Sequence, residues 1–140
     1  MTKKKPLFIL GFDPGRDKCG IAVISEDGKL YYHAVITSYD VVREVNFLYK
    51  KFFFKILVMG GQTTSRIWKE SLEKKLLFSI PIIKIDESNS TLEARNRYWQ
   101  MSPPKSISRL IPESLRIPTR SIDDIVAILL VERFFQINKK

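Results

Sequence analysis

Apolar and polar positions along this chain first change period near residue 38, from strand-like runs to alternating helical and strand-like segments. Before it the apolar runs are short and strand-like: Lys5 to Asp13, Cys19 to Ser25, and Leu30 to Thr37. The turn Asp13-Pro14-Gly15 follows the first run, and Glu26-Asp27-Gly28-Lys29, with Asp-Gly at its centre, joins the second to the third. Three strands joined by short connections predict an antiparallel meander. After it, Val41, Val45, Leu48 and Phe52 recur at helical spacing, which predicts a helix over Asp40 to Phe53. Lys55 to Met59 reads as a strand ending at Gly60-Gly61. Trp68, Leu72 and Leu76 mark a second helix, with Thr63, Thr64 or Ser65 as cap. Pro81 to Ile85 is a further strand, ending at Asp86-Glu87. Ser90-Thr91-Leu92-Glu93 has capping-box spacing and opens a helix through about Met101. The last helix carries Ile122, Ile125, Val126, Leu129, Leu130 and Phe134 on one stripe, with Ser121 and Asp124 spaced as its capping box. The order β-β-β-α-β-α-β-α-loop-α predicts one α/β domain over residues 1–140, with a mixed sheet: a three-strand meander plus two further parallel strands, flanked by helices.

Residues 102–121 lack a clear period and contain Pro103, Pro104, Pro112 and Pro118, so a long loop is expected there. It holds Lys105, Arg109, Arg116 and Arg120 against the single acid Glu113. The chain as a whole has 24 Lys and Arg against 15 Asp and Glu, a net charge of +9 shared by both halves. A small basic domain of this kind suits a polyanionic partner. No apolar run is long enough to span a bilayer and no signal peptide is evident, so a cytoplasmic location without membrane association is expected.

One Cys and one His limit the chemistry. No internal disulfide forms, and neither a Cys–His nucleophile pair nor a Cys/His zinc site is available. Cys19 reads as a buried thiol and His33 as a residue on a sheet face. Any metal site must be built from Asp and Glu, which favours Mg²⁺, with Mn²⁺ as the other candidate.

The carboxylates sit where such a site needs them. Asp13 ends the first strand, where a buried position would ordinarily carry Val or Ile. An acid there needs a metal, a cation or a proton, unless it only shapes the Asp-Pro-Gly turn. Asp86-Glu87 ends another strand, and Asp123-Asp124 opens the last helix. Ligands of α/β sheets gather beyond strand ends, so these points can converge. Clustered carboxylates repel unless a divalent cation neutralises them, and such a cation supports phosphodiester cleavage without His or Cys. Each acid also has a simpler use: Asp124 or Glu93 as a helix cap, Asp123 against a helix dipole.

Four segments then bear on a family. Ile-Leu-Gly-Phe-Asp-Pro-Gly-Arg-Asp-Lys-Cys-Gly-Ile-Ala-Val-Ile (Ile9 to Ile24) resembles the opening of RuvC-like and YqgF-like nucleases of the RNase H superfamily. Val58 to Ser65, Ile85 to Arg95 and Ile122 to Leu130 resemble later motifs in the same order. The resemblance implies an RNase H-like sheet and a Mg²⁺-dependent carboxylate site. It also implies activity as a Holliday junction resolvase or, as in YqgF-like members, on precursor ribosomal RNA. It assigns Asp13 and Glu87 as catalytic metal ligands. The YqgF-like alignment adds Asp123 and the RuvC-like alignment adds Asp124. Ser88 stands where YqgF-like members usually carry Arg, and the 102–121 segment exceeds a minimal member.

Expected contacts to nucleic acid are Arg16, Lys18, Thr63, Thr64, Ser65, Arg95, Lys105, Arg109, Arg116 and Arg120. The partner is branched DNA or structured RNA, and the chain is a monomer or a homodimer. The alternative is a non-catalytic nucleic-acid-binding module of the same fold that assists RNA or ribosome maturation. An actin-like ATPase, which also has an Asp-x-Gly turn between strands, is not expected, because it needs two large lobes and these 140 residues are too short to form them.

Overall fold

The computed structural model describes residues 6–61, 64–104, 110–112, 118 and 120–138. The strands are β1 (Phe8–Asp13), β2 (Lys18–Ser25), β3 (Leu30–Thr37), β4 (Ile56–Gly60) and β5 (Ile82–Ile85). The helices are α1 (Val41–Phe52), α2 (Ser65–Lys75), α3 (Ser90–Met101) and α4 (Asp123–Asn138), with a 3-10 turn at Ser38–Asp40. They follow the order expected from periodicity. The sheet order is β3-β2-β1-β4-β5. β2 is antiparallel to both β1 and β3, while β4 is parallel to β1 and β5.

Strand alternation sorts side chains between two cores. Leu10, Phe12, Ile21, Val23, Leu57 and Met59 face α1 and α2, where Val41, Val45, Leu48 and Leu72 are buried. Ile9, Ala22, Ile24, Val58 and Ile85 face α3 and α4. The sheet is therefore covered on both faces, which is why its central strands read as nearly continuous apolar runs.

α4 differs from its expected stripe. All eight residues from Asp124 to Val131 are buried. The helix lies between the sheet on one side and α3 on the other, so it is apolar nearly all round. Two glycines permit this. A Cβ on Gly11 would stand 2.4 Å from the Ala127 carbonyl oxygen, and one on Gly20 would stand 1.9 Å from that of Asp123. Either side chain would push the helix off the sheet.

Neither capping box forms as read from sequence. α3 starts after Asn89, which adopts the left-handed conformation (φ 62°) without a side-chain cap. Ser90 lies buried inside the helix, and Glu93 pairs with Arg133. At α4 the Ile122 carbonyl accepts from the amides of Ile125 and Val126, while Asp124 turns its side chain elsewhere. In both places the acid that the local pattern offered to the helix end has other partners: Arg133 for Glu93, and Arg120 and His33 for Asp124.

Candidate active site

The register of the sheet sets out the site. Asp13 is the Cα partner of Gly20, and Gly20 is the partner of Val35. Phe12 pairs with Met59, so one further step places Asp13 level with Gly60, whose own partner is Ile85. Alternation puts Asp13 on the same face as Ile9 and Gly11, beneath α4. The absent side chain of Gly20 admits the backbone of Asp123 at this point. Asp13 and the first residue of α4 are thus brought together by a glycine on the strand between them.

Their carboxyl groups are hydrogen-bonded to one another. Burial, the charge of Asp123 and the charge of Glu87 push the Asp13 carboxyl from 3.8 up to about 8. Asp13 therefore holds the proton that the pair shares. Burial and the neighbouring Asp124 raise Asp123, against the lowering effects of its bond to Asp13 and of Lys18.

Glu87 approaches from the β5–α3 connection. Its carboxylate lies over Gly60, where an added Cβ would stand 2.2 Å from Oε2. The side chain is buried, and burial together with Asp86 raises its pKa against the opposing charge of Arg133. Asp86 points the other way, as expected of neighbours at a strand end. It is exposed and accepts from the Ser88 amide (3.0 Å) and hydroxyl (2.7 Å), which hold its carboxyl below the usual range.

Asp124 is separately committed. Its side chain accepts from Arg120 Nη1 at 2.9 Å and Nη2 at 3.2 Å, and its Oδ2 lies 2.6 Å from His33 Nδ1. Burial opposes ionisation of Asp124, but the bonds and charges of Arg120 and His33 outweigh it and hold the carboxyl below its ordinary value. Adjacent acids at the start of one helix thus have different partners: Asp123 meets Asp13, and Asp124 holds the side chains of Arg120 and His33.

The donor set Asp13, Asp123 and Glu87 is wholly carboxylate oxygen, which matches a hard divalent cation. A formed triad, however, is not what the structure contains. Among the described residues no group of three or more His, Cys, Asp and Glu side chains is arranged to hold a metal ion. Asp13 and Asp123 are within side-chain hydrogen-bond reach of each other, whereas Glu87 acts on Asp13 through its charge.

The turn after Asp13 is held by side chains. The Cys19 thiol accepts from the Gly15 amide at 3.3 Å and donates to the Gly15 carbonyl at 3.6 Å, and the Ser38 hydroxyl donates to the carbonyls of Gly15 and Arg16. A Cβ on Gly15 would meet the Lys18 carbonyl oxygen at 2.0 Å. Cys19 is buried, as the sequence suggested, and burial pushes its thiol pKa up.

No family model matches the chain, and no curated protein sequence matches it. Among solved structures, T. thermophilus RuvC in complex with a Holliday junction substrate aligns over 93% of this chain and 94% of its own, with a TM-score of 0.52 and 14% identity. The fold is RNase H-like. A ROK family glucokinase from Streptomyces griseus, in complex with glucose and AMPPNP, overlaps 64% of this chain and 36% of its own, at a TM-score of 0.42 and 12% identity.

On this RNase H-like frame the expected phosphate contacts fall in different places. Arg16, on the turn after Asp13, and Lys18, at the start of β2, are exposed. Arg95 is exposed in a groove of about 490 Å³ that also takes in Glu87. Arg120 lines a cleft of about 530 Å³ with Lys18, His33 and Thr37, but its guanidinium is already paired with Asp124. Thr64 is exposed before α2, and Ser65 is buried in its first turn. Thr63, Lys105, Arg109 and Arg116 lie outside the described residues. No helix among the described residues is long and apolar enough to cross a membrane.

The sequence reading missed the residues that support this carboxylate cluster from behind. Gly60, Gly20 and Arg133 touch the carboxylates or their loops. Arg133 had a visible signal: it is the one basic residue between Asp123 and Asn138. An Arg that follows the apolar run Ile125 to Val131 on a packed helix needs a partner.

Proposed function

We propose that this protein is a metal-dependent endonuclease that cleaves phosphodiesters of structured nucleic acid, with branched DNA of the Holliday-junction type or precursor ribosomal RNA as the substrate class. The observation that carries the proposal is the meeting of Asp13 and Asp123, with Glu87 close enough to raise Asp13, at one end of the sheet in a chain of net charge +9. The likeness of fold to a RuvC solved on a junction supports it.

Asp13, Asp123 and Glu87 would hold Mg²⁺ or Mn²⁺ through carboxylate oxygens. The bound cation supplies activation of a water and neutralisation of phosphate charge. Asp13 must give up its proton for this role, and Lys18 favours the ionised form of Asp123 beside it. Arg16, Lys18 and Arg95 border the acids and would meet phosphates of the strand. Asp124 would serve the site indirectly, by fixing the start of α4 through His33 and Arg120.

The test is a cleavage panel of four-way junction, duplex, single strand and precursor ribosomal RNA, with Mg²⁺ and with Mn²⁺. Asp13→Asn preserves shape while removing the charge and should abolish turnover. Equal rates for parent and variant would overturn the proposal. A second reading, a non-catalytic nucleic-acid-binding module, draws on the absence of a formed three-carboxylate group among the described residues. Salt-dependent binding indifferent to EDTA, with no substrate cut, would favour it.

A further inference from the structure

Glu87 stands on a connection rather than in a strand, yet its surroundings are as constrained as a strand position. Arg133, about three turns along α4 from Asp123, reaches this connection with both terminal nitrogens of its guanidinium. Nη1 donates to the Asp86 carbonyl at 2.7 Å, and Nη2 donates to the Ser88 carbonyl at 2.7 Å and to Glu93 Oε1 at 3.0 Å. The two carbonyls are those on either side of Glu87. The Glu87 carbonyl is itself bound by the Ser90 amide at 3.0 Å. Three successive carbonyls are therefore tied, two of them to one rigid fork. The side chain of Arg133 is only 19% exposed, although its acceptors lie on an exposed connection, so the clamp rests on the number and geometry of its bonds. On the other side, the carboxylate of Glu87 rests in the space left by Gly60.

We propose that Arg133 and Gly60 are positioning residues that jointly seat Glu87 at the carboxylate site, Arg133 by clamping the backbone around it and Gly60 by leaving room for its carboxylate. This rests on the nuclease reading and deepens it. The same helix that delivers Asp123 also clamps the loop of Glu87, so α4 acts as a strut between two acids contributed by distant parts of the chain. A planar guanidinium is required: a lysine ammonium is a single point donor and cannot span both carbonyls with the same geometry.

The two residues predict different signatures. An alanine at position 60 meets only the mobile end of the Glu87 side chain, so the fold tolerates it while the carboxylate must move. Gly60→Ala should leave the melting temperature within a few degrees of the parent yet reduce kcat for junction cleavage by tenfold or more, with junction affinity in Ca²⁺ unchanged within twofold. Arg133→Met should reduce kcat similarly, and Arg133→Lys should recover part of it. Arg97→Met is the control. It removes a comparably buried Arg that bridges α3 to Glu132 of α4 through two bonds, at 2.9 and 2.8 Å, away from Glu87. That variant should lose stability but keep kcat.

Amide hydrogen exchange supplies a readout that does not depend on turnover. Arg133→Met should accelerate exchange at Ser88 and Ser90, and Arg97→Met should not. If the parent cuts no nucleic acid, the nuclease reading fails while exchange still decides whether the clamp exists. Should Arg133→Met fail to fold, Gly60→Ala and Arg133→Lys carry the test. Parent-like kcat in Gly60→Ala, or parent-like exchange at Ser88 and Ser90 in either folded Arg133 variant, would overturn the proposal.

Discussion

Replacing Asp13 by Asn should make the cation-free protein more stable, and increasingly so as the pH rises. In the folded chain burial, Asp123 and Glu87 lift the Asp13 carboxyl from 3.8 to about 8. The folded state therefore binds a proton that the unfolded state has released between about pH 4 and pH 8. The sign follows directly. Stability from this group is complete below about pH 4 and is lost as the pH climbs through 8. A tenfold difference in proton affinity between the folded and unfolded chain is worth about 1.4 kcal/mol, so the ceiling at pH 8 is about 6 kcal/mol. Asp13 retains some exposure, and its neighbours can relax, so an effective cost of about 2 kcal/mol is the better expectation. For a domain of this size that is a rise in Tm of about 6 °C for Asp13→Asn at pH 8, falling below about 2 °C at pH 5. The assay is thermal unfolding in EDTA at pH 5, 6, 7 and 8. Mg²⁺ should raise the Tm of the parent at pH 8 and leave that of the variant unchanged. A gain that is equal at pH 5 and pH 8, or absent at both, would refute the electrostatic account of the site.

Asp123 and Asp124 should separate by assay: Asp123→Asn abolishes cleavage with little change in Tm, whereas Asp124→Asn keeps measurable turnover but loses about 2 kcal/mol by urea titration, because it leaves Arg120 and His33 without their buried partner. The Asp124 contribution is present above about pH 4 and is lost as the pH falls through its lowered folded value, so the parent's stability advantage over Asp124→Asn should vanish toward pH 2. Gly20→Ala should cost about 3 kcal/mol or prevent folding, since its Cβ would meet backbone atoms of Asp123 rather than a movable side chain. Cys19 should resist a water-soluble disulfide reagent in the native protein and react fully in guanidinium, because the thiol is buried and bonded to Gly15.

Periodicity carried most of the architecture. The alternation of Ile9, Leu10, Gly11 and Phe12, and the helical spacing of Val41, Val45 and Leu48, are local signals imposed by backbone geometry, and the tertiary structure respects them. Acids at chain positions that end strands or open a helix were legible for the same reason, since hydrophobic runs mark where elements stop. What stayed hidden was every relation between residues distant in sequence. Nothing near Asp123-Asp124 says which of the two meets Asp13, because that depends on how α4 rotates over Gly11 and Gly20. The local pattern offered Glu93 and Asp124 as caps, but a cap competes with contacts formed only on folding, and Arg133 and His33 took those acids. Gly60 read only as the place where a strand ends, yet its missing side chain is the space in which the Glu87 carboxylate lies. Elements follow from interactions between near neighbours along the chain. The site follows from close approach across the sheet, which only packing against a completed core can decide.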